Sequence, residues 1–164
     1  MRARAATKIR SLAGAIRKAR ELKRSGKRVV FTNGCFDILH IGHVRLLEQA
    51  AKLGEVLFVA VNSDRSVRKL KGPSRPVKPQ GERAEILAAL ASVDFVVIFD
   101  ELTPLNVIKA MLPDVLVKGG DWTRETIVGR KEVENAGGKV VVIPLTESYS
   151  TSRLIERIGK LVVA

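Results

Sequence analysis

Val56–Val61 reads VLFVAV, an unbroken apolar run with no polar alternation. A strand of that kind is covered on both faces, and strands covered on both faces belong to parallel sheets flanked by helices. The rest of the chain repeats the theme. Val29–Thr32, Asp94–Phe99, Val115–Lys118 and Lys139–Ile143 read as further strands, with a turn demanded at Asn33-Gly34. Helical patterns at Ile41–Leu53, Asp64–Lys69, Glu82–Ser92, Thr103–Leu112 and Arg130–Ala136 separate them, and Gly72–Gly81 is a loop with three prolines. Pro104 suits a first helical turn, and Ser150 or Thr151 caps a last helix running to about Leu161. This alternation predicts an α/β fold: a Rossmann-like, open, mainly parallel five-stranded sheet with helices on both faces.

Ahead of the first strand, Thr7–Ser25 has helical periodicity. Ile9, Leu12, Ile16 and Ala19 recur at helical spacing, and Gly26 is placed to end the helix. The net charge of +12 is concentrated there: residues 1–28 hold 11 Lys or Arg against Glu21 alone, whereas residues 29–164 hold 18 basic and 16 acidic residues. Two units follow, a basic N-terminal helix over 1–27 and a domain over 28–164. Charge of this kind either holds a polyanion or forms a solvated helix face. A free helix of this length is marginal in water, so the apolar stripe is expected to dock on the body or on a second copy.

Composition removes several classes. The 164 residues suit one domain. A single cysteine, Cys35, excludes an internal disulfide, and two histidines with it make a poor zinc cage. No apolar run approaches the roughly 18–20 residues of a membrane span, and no signal-peptide core follows the basic start. A soluble, cytoplasmic protein without membrane contact is expected. With 4% aromatic residues, stacking platforms for nucleic acid are not expected either.

Ligands of such sheets bind beyond the carboxyl ends of the strands. The segments there are Asn33–His43, Asn62–Arg75, Asp100–Pro104, Lys118–Trp122 and Pro144–Ser152, and they gather most of the polar chemistry. The strongest signal is Thr32 to His43, TNGCFDILHIGH. A glycine after the first strand admits an anion to the backbone, and the helix starting near Ile41 offers unpaired N–H groups. His40 and His43, with Gly42 between them, can face one ligand, and a bound polyanion would favour their protonated forms. Phosphate binding, a two-histidine metal site and simple helix capping all fit this pattern. No GxxxxGK[ST] and no GxGxxG occurs.

GCFDILHIGH resembles the HxGH signature of the nucleotidyltransferase superfamily that includes the cytidylyltransferases. NSDRSVRKLKGPSRPVKP, ERAEILAALASVDFVVIFDELTP, PDVLVKGGDW and GGKVVVIPLTESYSTSRLIERI extend the match over about residues 28–158. KGPSRPV together with LVKGGDW resembles the D-glycero-β-D-manno-heptose 1-phosphate adenylyltransferase branch. The resemblance implies transfer of AMP from ATP to heptose 1-phosphate, with Mg²⁺ held mainly by ATP phosphates and no dedicated protein metal site. It implies His40 and His43 as catalytic residues. Thr32, Asn33, Gly34, Cys35, Phe36, Gly42, Lys118, Gly119, Asp121, Ser150, Thr151 and Ser152 would bind nucleotide, and Asp37, Lys69, Lys71 and Arg75 the sugar phosphate. A separate heptose kinase upstream is expected, and a homo-oligomer is compatible with the sequence.

Each group also has a plainer reading. Lys69, Lys71 and Arg75 would suit a solvated loop, Asp37 a local turn cap, Gly119-Gly120 a tight turn, and Ser150-Thr151-Ser152 an N-cap. Two other functions stay open: transfer to another phosphorylated alcohol such as glycerol 3-phosphate, with ATP or CTP, and nucleic-acid binding through the basic helix. The glycerol-phosphate cytidylyltransferases carry arginine where Leu145 stands, and the family usually has glycine near Glu147-Ser148-Tyr149.

Overall fold

The computed structural model describes residues 5–120, 122–144 and 151–162. In chain order the elements are α1 (Ala5–Lys8), β1 (Ile9–Arg10), α2 (Leu12–Arg24), β2 (Val29–Gly34), α3 (Ile41–Ala51), β3 (Val56–Asn62), α4 (Asp64–Lys71), α5 (Gln80–Ala89), β4 (Phe95–Phe99), α6 (Leu105–Met111), β5 (Val115–Gly119), a 3₁₀ turn (Arg124–Thr126), α7 (Arg130–Asn135), β6 (Lys139–Ile143) and α8 (Thr151–Val162). The strands form one parallel sheet in the order β1-β4-β3-β2-β5-β6. The α/β class and the helices on both faces agree with the sequence reading, but there are six strands.

The sixth strand is β1, within the stretch expected to be a single helix. Ile9 and Arg10 pair with Val96 and Val97 of β4, and Ser11 then starts α2 by accepting the Gly14 N–H at 3.2 Å. The break lets Ile9 and Leu12 go to opposite faces of the sheet. Ile9 packs on the core beneath α3 and α5, while Leu12 packs on the core beneath α2, α6 and α7. One continuous helix could not divide them so. The docked face of α2 is therefore Leu12, Ala15, Ala19 and Leu22, with both alanines fully buried.

Alternation along the strands fills the two cores. Val30 of β2 joins Leu46, Leu47 and Ala50 of α3 on one face, and Val29 and Phe31 join Ile108 and Met111 of α6 on the other. Each large side chain so buried contributes about 1.5–3 kcal/mol. β2 also outruns its expected end, since Asn33 and Gly34 still pair with Ala60 and Val61. The turn falls at Phe36, a non-glycine residue with φ 46°. Because β3 and β5 lie on either side of β2, strand order reverses there, and a crevice opens beyond the ends of β2 and β5.

Candidate active site

Thr32 lies inside the sheet. Its hydroxyl donates to the Val117 carbonyl at 3.0 Å, which ties β2 to β5 and keeps that side chain for the fold. Asn33 is the first residue of β2 free to face the crevice. Beyond Gly34 the chain doubles over at Phe36, where left-handed backbone costs about 1–2 kcal/mol. The buried Phe36 ring offsets this by packing under Gly34, where an added Cβ would lie 3.1 Å from it. The same ring meets His43 edge-on, with centroids 5.2 Å apart.

His40 and His43 open α3, and Gly42 between them is buried. Their rings stack with centroids 3.8 Å apart and planes 23° from parallel. The His40 backbone N–H donates to Nδ1 of His43 at 3.4 Å, which leaves the proton of a neutral His43 on Nε2. Nδ1 of His40 is buried with no partner among the described residues. Burial first, and then the neighbouring His40, push His43 down to about 4, and burial lowers His40 as well. Without an anion both imidazoles are neutral at pH 7.

Asp37 is buried and fully engaged. One carboxylate oxygen accepts from Arg75 Nε and the other from the backbone N–H groups of Val77 and Lys78 at 2.8 and 2.9 Å. Burial alone would raise its pKa, but these donors, Lys78 and Val77 before Arg75, hold it below the ordinary carboxylate value. The 72–79 loop is thereby strapped to the turn before α3. Arg83 strengthens the strap. Its side chain, wholly buried on α5, donates to the carbonyls of Cys35, Asn62 (2.8 Å) and Lys78 (3.0 Å) and pairs with Asp64 at 2.8 Å. The ends of β2 and β3 and the Pro-rich loop share one guanidinium. Burial raises the Cys35 thiol, against the pull of Lys71, Arg83 and Arg75.

Beyond the ends of β2, β3 and β5 lies a cavity of about 290 Å³ lined by Asn33, Asn62, Lys71, Leu102, Lys118 and Trp122, among others. Lys118 Nζ donates to Asn33 Oδ1 and sits 5.9 Å from the centroid of the Trp122 ring. Burial brings this ammonium down to about 8, with Cys35 pulling weakly the other way. Gly119 ends β5, and Gly120, at φ 113°, donates to the Ile143 carbonyl at 3.0 Å. At the start of α8 the Thr151 hydroxyl donates to the Ile38 carbonyl at 3.3 Å, which brings that helix to the turn before His40. Ser152 and Lys69 are exposed, and Lys69 lies outside the cavity lining. Asp121, Leu145, the Glu147-Ser148-Tyr149 turn and Ser150 fall outside the described residues.

Residues 31–157 match the sequence profile of the cytidylyltransferase-like family. The chain belongs to that family. Among similar curated proteins are bifunctional protein HldE of Syntrophotalea carbinolica, 57% identical over 136 residues, and HldE of Koribacter versatilis, 58% identical over 135. These alignments cover 83% and 82% of this chain but 28% of each relative, so the chain spans little more than a quarter of their length. A lipopolysaccharide core biosynthesis protein from Thermoplasma volcanium GSS1 superposes with a TM-score of 0.61 at 26% identity, over 76% of this chain and all of that one. A pantoate-beta-alanine ligase from Francisella tularensis, at 15% identity and a TM-score of 0.52 over 84% of this chain and 67% of its own, shares the fold.

In this cytidylyltransferase-like domain, three residues at or behind the crevice have no role in the motif reading. Asn62 stands one place beyond VLFVAV, where a strand-end polar group is a cue. Trp122 is the sole tryptophan and closes the Lys118–Trp122 segment. Arg83 occupies the apolar stripe of α5 beside Ala84, Leu87 and Ala88, and a charged residue in that register is itself a signal. Among the described residues no three His, Cys, Asp or Glu side chains converge as a metal site, and no helix is long and apolar enough to cross a membrane.

Proposed function

We propose that this chain transfers the adenylyl group of ATP to D-glycero-β-D-manno-heptose 1-phosphate, giving ADP-heptose and pyrophosphate. The stacked pair His40–His43 at the start of α3 carries the reading, because it sets two neutral donors and a helix N-terminus at the switch point of the sheet. The identity to the HldE proteins and the KGPSRPV and LVKGGDW motifs support the heptose branch. The catalytic unit is 28–164, to which residues 5–24 add an edge strand and a covering helix.

A phosphate oxygen of the sugar 1-phosphate, already anionic, attacks the α-phosphorus of ATP. The bond from that phosphorus to the bridging oxygen breaks, and pyrophosphate leaves with the electron pair. No base is needed. The reaction needs alignment and positive charge around the α-phosphate. His43 gives its Nε2–H, the triphosphate raises the depressed imidazole pKa values toward protonation, and Lys118 and Lys71 supply positive charge. The backbone from Asn33 to Phe36, with Gly42, Gly119 and Thr151, cradles nucleotide. Asp37 holds Arg75 over the sugar phosphate, and Lys69 adds charge at the rim.

The lysines that line the crevice, Lys71 and Lys118, fit phosphate oxygens rather than a bare cation. Mg²⁺ would therefore be held by the phosphates and would supply charge neutralisation there. A kinase reaction must supply heptose 1-phosphate, and both steps belong in the cytoplasm. The test is pyrophosphate release with ATP or CTP crossed with heptose 1-phosphate or glycerol 3-phosphate. The expected result is turnover fastest with ATP and heptose 1-phosphate. Equal use of CTP, or preference for glycerol 3-phosphate, would overturn the assignment.

A further inference from the structure

At the amino ends of β2, β5 and β6, opposite the crevice, lies a groove of about 440 Å³ lined by Lys23, Lys27, Arg28, Asp114, Val115 and Lys139, with glycines between them. Its cations come from separate parts of the chain. Arg28 immediately precedes β2, and Lys139 begins β6 opposite Val115. Those strands are two spacings apart, about 9–10 Å, so both long side chains can close on one small ligand.

The carboxylates nearby are already engaged. Asp114 accepts from the Val29 N–H at 2.7 Å and pairs with Lys23 at 3.2 Å, while Lys23 also caps the Leu112 carbonyl. Glu55 accepts the Arg28 backbone N–H at 2.7 Å. Lys27, the Arg28 guanidinium and Lys139 pair with no carboxylate among the described residues. Apart from Val115 the walls are glycine, backbone and charge, with no aromatic surface for a base and no apolar floor for a lipid tail. Such a concavity selects charge over shape.

We propose that this groove is a second anion site, one that takes a small, multiply charged phosphate compound through Lys27, Arg28 and Lys139. It lies at the other end of the sheet from the imidazoles and does not depend on which sugar phosphate the crevice accepts.

Inorganic triphosphate is the probe, titrated calorimetrically into the full chain. Wild type binds two equivalents. The triple variant Lys27→Ala, Arg28→Ala, Lys139→Ala binds one and keeps its turnover and melting temperature, whereas Lys118→Ala with His43→Ala retains the groove equivalent. Groove affinity falls about tenfold or more as the Debye length shrinks from about 30 Å at 0.01 M salt to about 8 Å at 0.15 M. Wild-type stoichiometry in the triple variant overturns the proposal. So does a single equivalent in wild type that vanishes with Lys118 and His43. Binding of a short DNA duplex, but not triphosphate, through the three residues would make this a nucleic-acid surface and overturn the small-anion assignment.

Discussion

Lys118, near the end of β5, donates to the side-chain oxygen of Asn33, near the end of β2, and so bridges the two strands between which the sheet reverses. Burial holds this ammonium down to about 8. The free enzyme therefore loses a cation from its crevice as pH rises past that value. kcat/KM for ATP should fall on an alkaline limb with an apparent pKa near 8, and Lys118→Arg should remove the limb. A flat profile to pH 9.5 in wild type would show that Lys118 does not meet the substrate's charge.

Replacing His43 or His40 by alanine should lower kcat by about 10²–10³, as loss of a transition-state donor does elsewhere. KM for ATP should move far less. Steady-state kinetics on both variants decides the matter, and near-normal turnover in either removes that imidazole from the mechanism.

The same burial makes His43 acid-sensitive. It titrates at about 4 in the fold against an ordinary 6.5, so between those values the unfolded chain binds the extra proton. The contribution is fully present above 6.5 and is lost as pH falls toward 4. Without ligand, the melting temperature should drop more steeply over this window in wild type than in His43→Gln. Equal slopes would place the lost stability in other groups.

Arg83→Ala should destabilise by several kcal/mol, since it strands buried carbonyls at about 1–3 kcal/mol each. Arg83→Lys should recover only part, because an ammonium cannot reproduce the planar fork. Denaturant unfolding of the three proteins measures this. Equal stability of the lysine variant and wild type would show that charge alone, without the fork, suffices.

Much of this was readable beforehand, and the exceptions have physical causes. VLFVAV announced a doubly covered strand because its burial is symmetric, and the spacing of His40 and His43 set both rings at one helix start. Periodicity over Thr7–Ser25 misled because Ile9 and Leu12 fit a helical stripe as well as they fit a strand followed by a capped helix. Only the open edge of β4 decides between them. The resemblance assigns Asp37 to the sugar phosphate and turn chemistry makes it a local cap, yet its oxygens are taken by Arg75, Val77 and Lys78, contacts made some 40 positions along the chain. Arg83 was hidden because its four acceptors come from segments that only the folded sheet brings together.

Removing residues 1–27 should lower the melting temperature, since it strips Leu12, Ala15, Ala19 and Leu22 from one core. Scanning calorimetry of the truncated chain checks this. An unchanged transition would show that α2 covers the sheet without stabilising it.

The two residues of β1 also guard the molecule against its own copies. Val96 and Val97 lie on an edge whose backbone donors and acceptors would otherwise invite a neighbouring strand. Ile9 and Arg10 occupy those groups, and the Arg10 guanidinium lies 5.5 Å from the centroid of the Phe95 ring, placing charge on the rim. A chain lacking this short strand would present an adhesive margin of VVIF, and its failure in a concentrated solution would be edge-to-edge aggregation before it was loss of catalysis.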